Sequence, residues 1–225
     1  MNGDVRLPGL ERLLDVCGKT GYPVELSPPG RTPPQAGGLI AGHPFDPLLA
    51  TVYRRLGAGR FGGMLGQLHL YRVDDQVNAI AVNAETQDTA EEPFQSALCF
   101  GTVPGLAYYF ATVPKLADAR GYQPVIYMDT YEEGFVVPVA SDVDRFFDTF
   151  SHYIELVVHD VGYRAGAALE EFFFPLTVPR LIARDRPLVE RLSAGDFDFL
   201  MTRTEGTRKW VSQVKKAARH GGGAG

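Results

Sequence analysis

Three residues of this 225-residue chain, His152, Glu155 and His159, have side chains that could do chemistry together. On a helix they fall at i, i+3 and i+7, so one face presents two imidazoles and a carboxylate, groups that bind metals and move protons. A zinc-protease helix instead sets two histidines four apart with the glutamate beside the first. A solvated polar face opposite an apolar stripe calls for the same residues, and that simpler reading is preferred. Gly57-Ala58-Gly59-Arg60-Phe61-Gly62 fits a loose G-x-G-x-x-G. It follows a helix, whereas a dinucleotide fingerprint follows a strand and opens a helix, and no Walker lysine is present. A flexible helix-to-strand connection is expected there. There is no G-x-S-x-G elbow, and Ser96, Ser141 and Ser151 lack a local signature. His43, His69 and His220 are scattered in sequence. No catalytic residue, metal or cofactor is assigned, and the chain is expected not to be an enzyme.

Two groups of acids point to recognition. Glu85, Asp88, Glu91 and Glu92 lie in one expected loop, and Asp129, Glu132 and Glu133 in another, each next to a strand end. With Tyr127 and Tyr131 as aromatic anchors, these nine residues form a candidate acidic docking surface. Solvated loops and protection of sheet edges would use the same acids.

Charge is unevenly spread. The net charge is −5, yet all 27 acids lie at or before Glu205, where they face 17 bases, while five bases follow it. A body of −10 with a tail of +5 argues against general nucleic-acid binding, which needs a positive surface, and suits a basic protein partner. Cys17 and Cys99 sit among apolar neighbours and read as buried free thiols of a reducing compartment. The apolar stretches are too short to span a bilayer, and no secretory leader is visible near the start. A cytoplasmic protein without membrane contact is expected.

The elements that must position these residues follow from periodicity. Leu10, Leu13, Leu14 and Cys17 have helical spacing, with Gly18 as the stop. Residues 21–42, with five prolines, read as a surface arm. Asp46-Pro47 opens a second helix, closed by Gly57 in a left-handed cap. Residues 57–66 then read as a glycine-rich loop. Strands are expected over 67–73, 77–83, 94–100, 106–112, 123–128 and 134–140, pairing as hairpins in an antiparallel sheet. The strongest helix runs over 142–160, where Val143, Phe146, Phe147, Phe150, Ile154, Val157, Val158 and Val161 make one apolar stripe after a start at Ser141 and Asp144 that resembles a capping box. Shorter helices are expected over 187–192 and 207–219. The fold class is therefore α+β: a mostly antiparallel sheet with helices packed against it, an N-terminal Pro-rich arm and a C-terminal helical extension. The division is 1–44 for the first helix and arm, 45–162 for the core, 163–220 for the extension and 221–225 for a disordered tail.

From Phe94 to Glu155 the order of segments is distinctive: a strand with Gly101, then Leu106-Ala-Tyr-Tyr-Phe, Pro124-Val-Ile-Tyr-Met-Asp129, Gly134-Phe-Val-Val-Pro-Val-Ala140 and Ser141-Asp-Val-Asp-Arg-Phe-Phe147. A strand running straight into a helix with paired aromatics resembles the SUKH superfamily, which includes fungal cell-wall-synthesis regulators and bacterial immunity proteins. The resemblance spans about half the chain, residues 45–160, with the helix after Asp46 in the place of that family's helix before the sheet. It implies a protein that binds and neutralises a cognate toxin inside the producing cell, and it brings no catalytic residues. The expected partner is a protein toxin, basic in charge; no nucleic-acid partner is expected. The alternatives are a metal-dependent hydrolase using His152, Glu155 and His159, and a regulatory scaffold without a toxin.

Overall fold

The computed structural model describes residues 5–62, 67–72, 78–89, 92–132, 134–160, 173–201 and 204–221. In chain order, helix α1 (Pro8–Thr20) leads to strand β1 (Val24–Ser27) and to a small hairpin of β2 (Leu39–Ile40) and β3 (His43–Pro44). Helix α2 (Pro47–Arg55) precedes β4 (Ala58–Phe61) and β5 (Leu68–Leu70). After α3 (Ala79–Thr89) come β6 (Leu98–Thr102), β7 (Tyr108–Thr112), β8 (Val125–Asp129), β9 (Phe135–Ala140) and α4 (Val143–His159). The described helices at the C-terminal end are α5 (Pro179–Ile182), α6 (Arg186–Ala194) and α7 (Glu205–Gly221). Seven strands form one antiparallel sheet in the order β1-β4-β5-β6-β7-β8-β9. The architecture is the α+β class expected from the sequence.

Strands β6 to β9 are consecutive antiparallel neighbours, β6–β7 and β8–β9 through short turns and β7–β8 through residues 113–124. Helix α4 packs its apolar stripe on one sheet face. The Phe146 ring lies 5.1 Å from Phe110 and 5.6 Å from Phe100, and Phe150 lies 6.2 Å from Phe61. Of the α4 stripe residues, Val143, Phe146, Phe147 and Phe150 are fully buried, and Val161 lies outside the described residues. Helix α1 packs on α4 in turn through Leu10, Leu13, Val16 and Cys17.

Aspartates fasten these elements to one another. Asp46 caps α2 by accepting from Leu49 N at 2.8 Å, and its other oxygen accepts from Gln123 N at 2.7 Å, just before β8. Asp185 caps α6 through Leu188 N and also accepts from Ser141 N at 2.6 Å, just after β9. Helix α4 begins with Asp142, which accepts from Arg145 N at 2.8 Å, so Ser141 and Asp144 do not form the expected capping box. Asp144 instead accepts from Gly9 N at 2.9 Å and Leu10 N at 3.2 Å, satisfying the open amides of α1 from a neighbouring helix.

Several local expectations need correction. The segment expected as a strand over 77–83 is helical from Ala79. Asn78 Oδ1 accepts from Ala81 N at 2.8 Å at its start, Ala79 and Asn83 are buried, and Ile80 is 46% exposed. Buried Asn83 exchanges two hydrogen bonds with the backbone of Cys99, at 2.7 and 2.8 Å, fixing α3 against β6. Helix α1 runs through Gly18 and ends at Gly21, whose φ of 68° is left-handed. Helix α2 ends in extended backbone at Leu56, and β4 begins at Ala58, so the expected loop is partly strand. Gly57 is needed for close approach: a Cβ there would lie 2.3 Å from the carbonyl oxygen of Pro28. The proline-rich arm supplies β1, the first strand of the sheet.

Candidate functional site

The connection between β8 and β9 is held by its own backbone and by the chain ahead of β7. Asp129 Oδ1 accepts from Tyr131 N at 2.8 Å, a local turn that short acidic side chains favour. Thr130 donates from its amide and its hydroxyl to Ala107 O, at 3.2 and 2.8 Å. Phe135 N closes the turn on Glu132 O at 3.0 Å. Two strands and these bonds leave Tyr131 standing 68% exposed.

Beneath it lies a stack of aromatic rings. Tyr131 meets Tyr108 edge-on at 5.5 Å. Tyr108 meets Phe173 at 5.3 Å and Tyr127 at 5.7 Å. Tyr127, expected as a surface anchor, is fully buried, and burial pushes its phenol well above the ordinary value. It supports Tyr108 from below and offers a partner no surface. The cause is visible in β8, where Val125 to Met128 are buried without a break because both faces of the strand are covered.

Two members of the second acidic group, Glu85 and Asp88, lie on helix α3, not in a loop. Glu85 is exposed on α3, and Glu92 is exposed beyond it, accepting from the Ser96 hydroxyl. The side chain of Asp88, and Glu91 and Glu133 entirely, lie outside the described residues. Glu85 and Tyr131 both act on the Tyr109 phenol, which is raised first by burial and then by Cys99, Glu85 and Tyr131. The ring of Tyr109 also meets Phe94 at 5.5 Å. Tyr108 and Tyr109 take opposite faces of β7, so Tyr131 rests on a ring of one face and Phe94 on a ring of the other.

Tyr108, Tyr109 and Phe173 were not singled out from sequence. Two consecutive tyrosines in a strand were the available signal: a period of two sends one ring to each face. Leu106, 41% exposed at the approach to β7, adds apolar surface near Ala107, where the turn is anchored.

The histidine group has a different role. Arg12 of α1 donates to both carboxylate oxygens of Glu155, at 2.7 and 3.3 Å, and its Nη2 lies 3.1 Å from His152 Nδ1. Asp148 stands 3.8 Å from the same guanidinium. These groups tie α1 to α4. Among the described residues, no group of three or more His, Cys, Asp or Glu is placed to hold a metal ion. Both cysteines are free and buried, and burial raises Cys17 to about 11 and Cys99 to about 12. Among the described residues, no helix is long and apolar enough to cross a membrane.

A scan against protein-family models and a search of curated proteins find no match to this chain.

Proposed function

We propose that this chain is a non-enzymatic binding protein that docks a partner on the Tyr131 turn. The observation that carries this reading is a 68% exposed tyrosine held by Asp129 and Thr130 on a packed aromatic base. A large ring that is already ordered loses little entropy on binding, so more of its contact energy reaches the complex. Tyrosine is also among the residues that most often dominate interfaces. Asp129 and Glu132 border the ring in sequence, and Glu85 and Glu92 are exposed acids on α3 and the chain beyond it. Such a border attracts a basic partner, raising the association rate more than the affinity, with an effect that salt weakens.

The more specific function is immunity: binding and neutralising a cognate bacterial toxin in the cytoplasm of the producing cell. What supports it is the resemblance of residues 45–160 to the SUKH superfamily, together with an acidic body suited to a basic toxin such as a nuclease. The experiment is co-expression with the protein encoded beside it, scoring growth and co-purification. The parent chain is expected to restore growth and to co-purify with its neighbour. A folded Tyr131→Ala/Glu132→Lys variant is expected to lose about tenfold or more in affinity, since an aromatic hot spot contributes about 2 kcal/mol or more. A variant that binds as well as the parent across a salt series removes this turn from the interface. A neighbour that is harmless when expressed alone removes the immunity reading while leaving the docking face open to test.

A further inference from the structure

The C-terminal helices carry charge of the opposite sign. Residues 173–225 contain ten Lys and Arg against five Asp and Glu, whereas residues 1–172 contain 12 against 22. On the body, several bases pair with acids, among them Arg12 with Glu155, Arg55 with Glu11, Arg120 with Asp118 and Arg145 with Asp148. Toward the C-terminus such pairs are fewer. Among the described residues, Arg191 pairs with Asp196, but Arg180, Arg184 and Arg186 make no ion pair, and neither do the lysines and arginines of α7.

Two grooves flank α7, and Lys216 lines both. The larger, about 1260 Å³, lies against α5 and α6, with Arg184, Lys216 and His220 beside Ala183, Val189 and Ala217. One acid, Glu190, is among its lining residues. The macrodipole of α7 favours cations in its last turn, which accounts for Arg219 and His220. It does not account for Arg186, the first residue of α6, where the helix dipole disfavours positive charge. An anionic occupant of the groove would offset that cost at Arg186 and would pair with Arg184, which follows the C-terminal end of α5.

We propose that the groove between α7 and the α5–α6 pair is a docking site for an acidic, amphipathic segment of a partner protein. Cations along the groove meet the acids of such a segment, and the alanines and Val189 meet its apolar face. A nucleic acid fits less well. Helix α7 is about 25 Å long, and its start lies against the acidic turn, where a Cβ on Gly206 would sit 3.2 Å from Glu132 Oε1. A polyphosphate extending past the helix meets that turn and the −10 of residues 1–172.

The test uses the full chain and a fluorescein-labelled peptide of Glu and Leu arranged with helical amphipathic spacing, followed by anisotropy. A scrambled peptide of equal composition and a labelled DNA duplex are the comparison probes. The amphipathic peptide is expected to bind saturably, more weakly as salt rises, and more tightly than either comparison probe. Arg184→Glu/Lys216→Glu is expected to weaken it by about tenfold or more, and Lys19→Glu, on the far helix α1, to leave it within about twofold. Circular dichroism verifies folding, and Arg184→Gln/Lys216→Gln replaces the charge reversal should that variant unfold. Tyr131→Ala/Glu132→Lys is expected to bind the peptide like the parent, which keeps this site separate from the turn. The proposal is overturned by a lack of saturable peptide binding, by binding that the groove variants leave unchanged, by equal affinity for the scrambled peptide, or by tighter binding of DNA.

Discussion

Replacing Gly9 by alanine sets two effects of opposite sign against each other. Alanine is the better helix former, by about 1 kcal/mol in a helix interior and less in the first turn. Against this, the added Cβ would lie 2.0 Å from the carbonyl oxygen of Asp144 and 2.9 Å from Asp148 N. Both are backbone atoms of α4, so no side chain can rotate away. Restoring an ordinary contact moves α1 outward by more than an ångström. Overpacking of this kind costs about 1–3 kcal/mol. The same shift stretches the hydrogen bonds from Gly9 N and Leu10 N to Asp144, and losing a cap costs about another 1 kcal/mol. The clash wins, with a net loss of about 2–3 kcal/mol. For a chain of this size that lowers the melting temperature by about 4–12 °C. Gly18 is the internal control. It lies in the same helix with nothing within 4 Å of a built Cβ, so Gly18→Ala is expected to stabilise by about 0.5–1 kcal/mol. Urea unfolding of both variants measures the difference. A Gly9→Ala protein as stable as the parent refutes the close approach of α1 to α4.

Phe147 is fully buried, and Phe147→Asp forces an unpaired charge into the core, so a loss of about 4 kcal/mol or more is expected; an unchanged melting temperature by circular dichroism contradicts the packing of α4. Burial raises the Asp46 carboxyl from 3.8 to about 7, outweighing the hydrogen bonds from Leu49 and Gln123 that favour its charged form. The folded protein therefore holds this proton more tightly than the unfolded chain does. Its contribution is full below about pH 3.8 and is lost as pH rises through about 7, by up to about 4 kcal/mol. Urea midpoints at a series of pH values are expected to slope less in Asp46→Asn than in the parent, and equal slopes refute the assignment. Cys17 and Cys99, buried with raised pKa values, are expected to resist a thiol reagent in native buffer and to react fully in denaturant; fast native labelling contradicts their burial.

The parts of the fold that were legible in the sequence are those with a long repeat. Val143 to Val157 carry a helical period over several turns, and the turns near Pro104-Gly105 and Tyr131 mark hairpins, so α4 and the pairs β6–β7 and β8–β9 follow from local pattern. Residues 77–83 show the limit. Ile80, Val82 and the alanines alternate over too few positions to separate a strand from a helix. What anchors α3 is Asn83 reaching Cys99, a pairing across sixteen residues that no local period records. At the site, the turn and Tyr131 were legible because acids and turn formers cluster there. The error over Tyr127 came from treating its residue type apart from its neighbours. An unbroken apolar run from Val125 to Met128 already indicates a strand covered on both sides. Arg12 was beyond reach: nothing in α1 announces that its guanidinium will meet Glu155 and His152 on another helix.

The two edges of the sheet are unlike. At β9 all six residues are buried, Ser141 N is held by Asp185 and the Thr207 hydroxyl donates to Val136 O at 3.4 Å. At β1, Val24 and Leu26 are 36% and 46% exposed between Pro23 and Pro28, and among the described residues no strand pairs with its outer side. Strand addition thus has a valence of one. Two copies joined through β1 would present a β9 flank at either end, and the growing ribbon would stop at a pair. Were copies of this chain to associate by strand addition, the product would be a closed dimer instead of an open-ended fibre, as long as the C-terminal helices stay seated on β9.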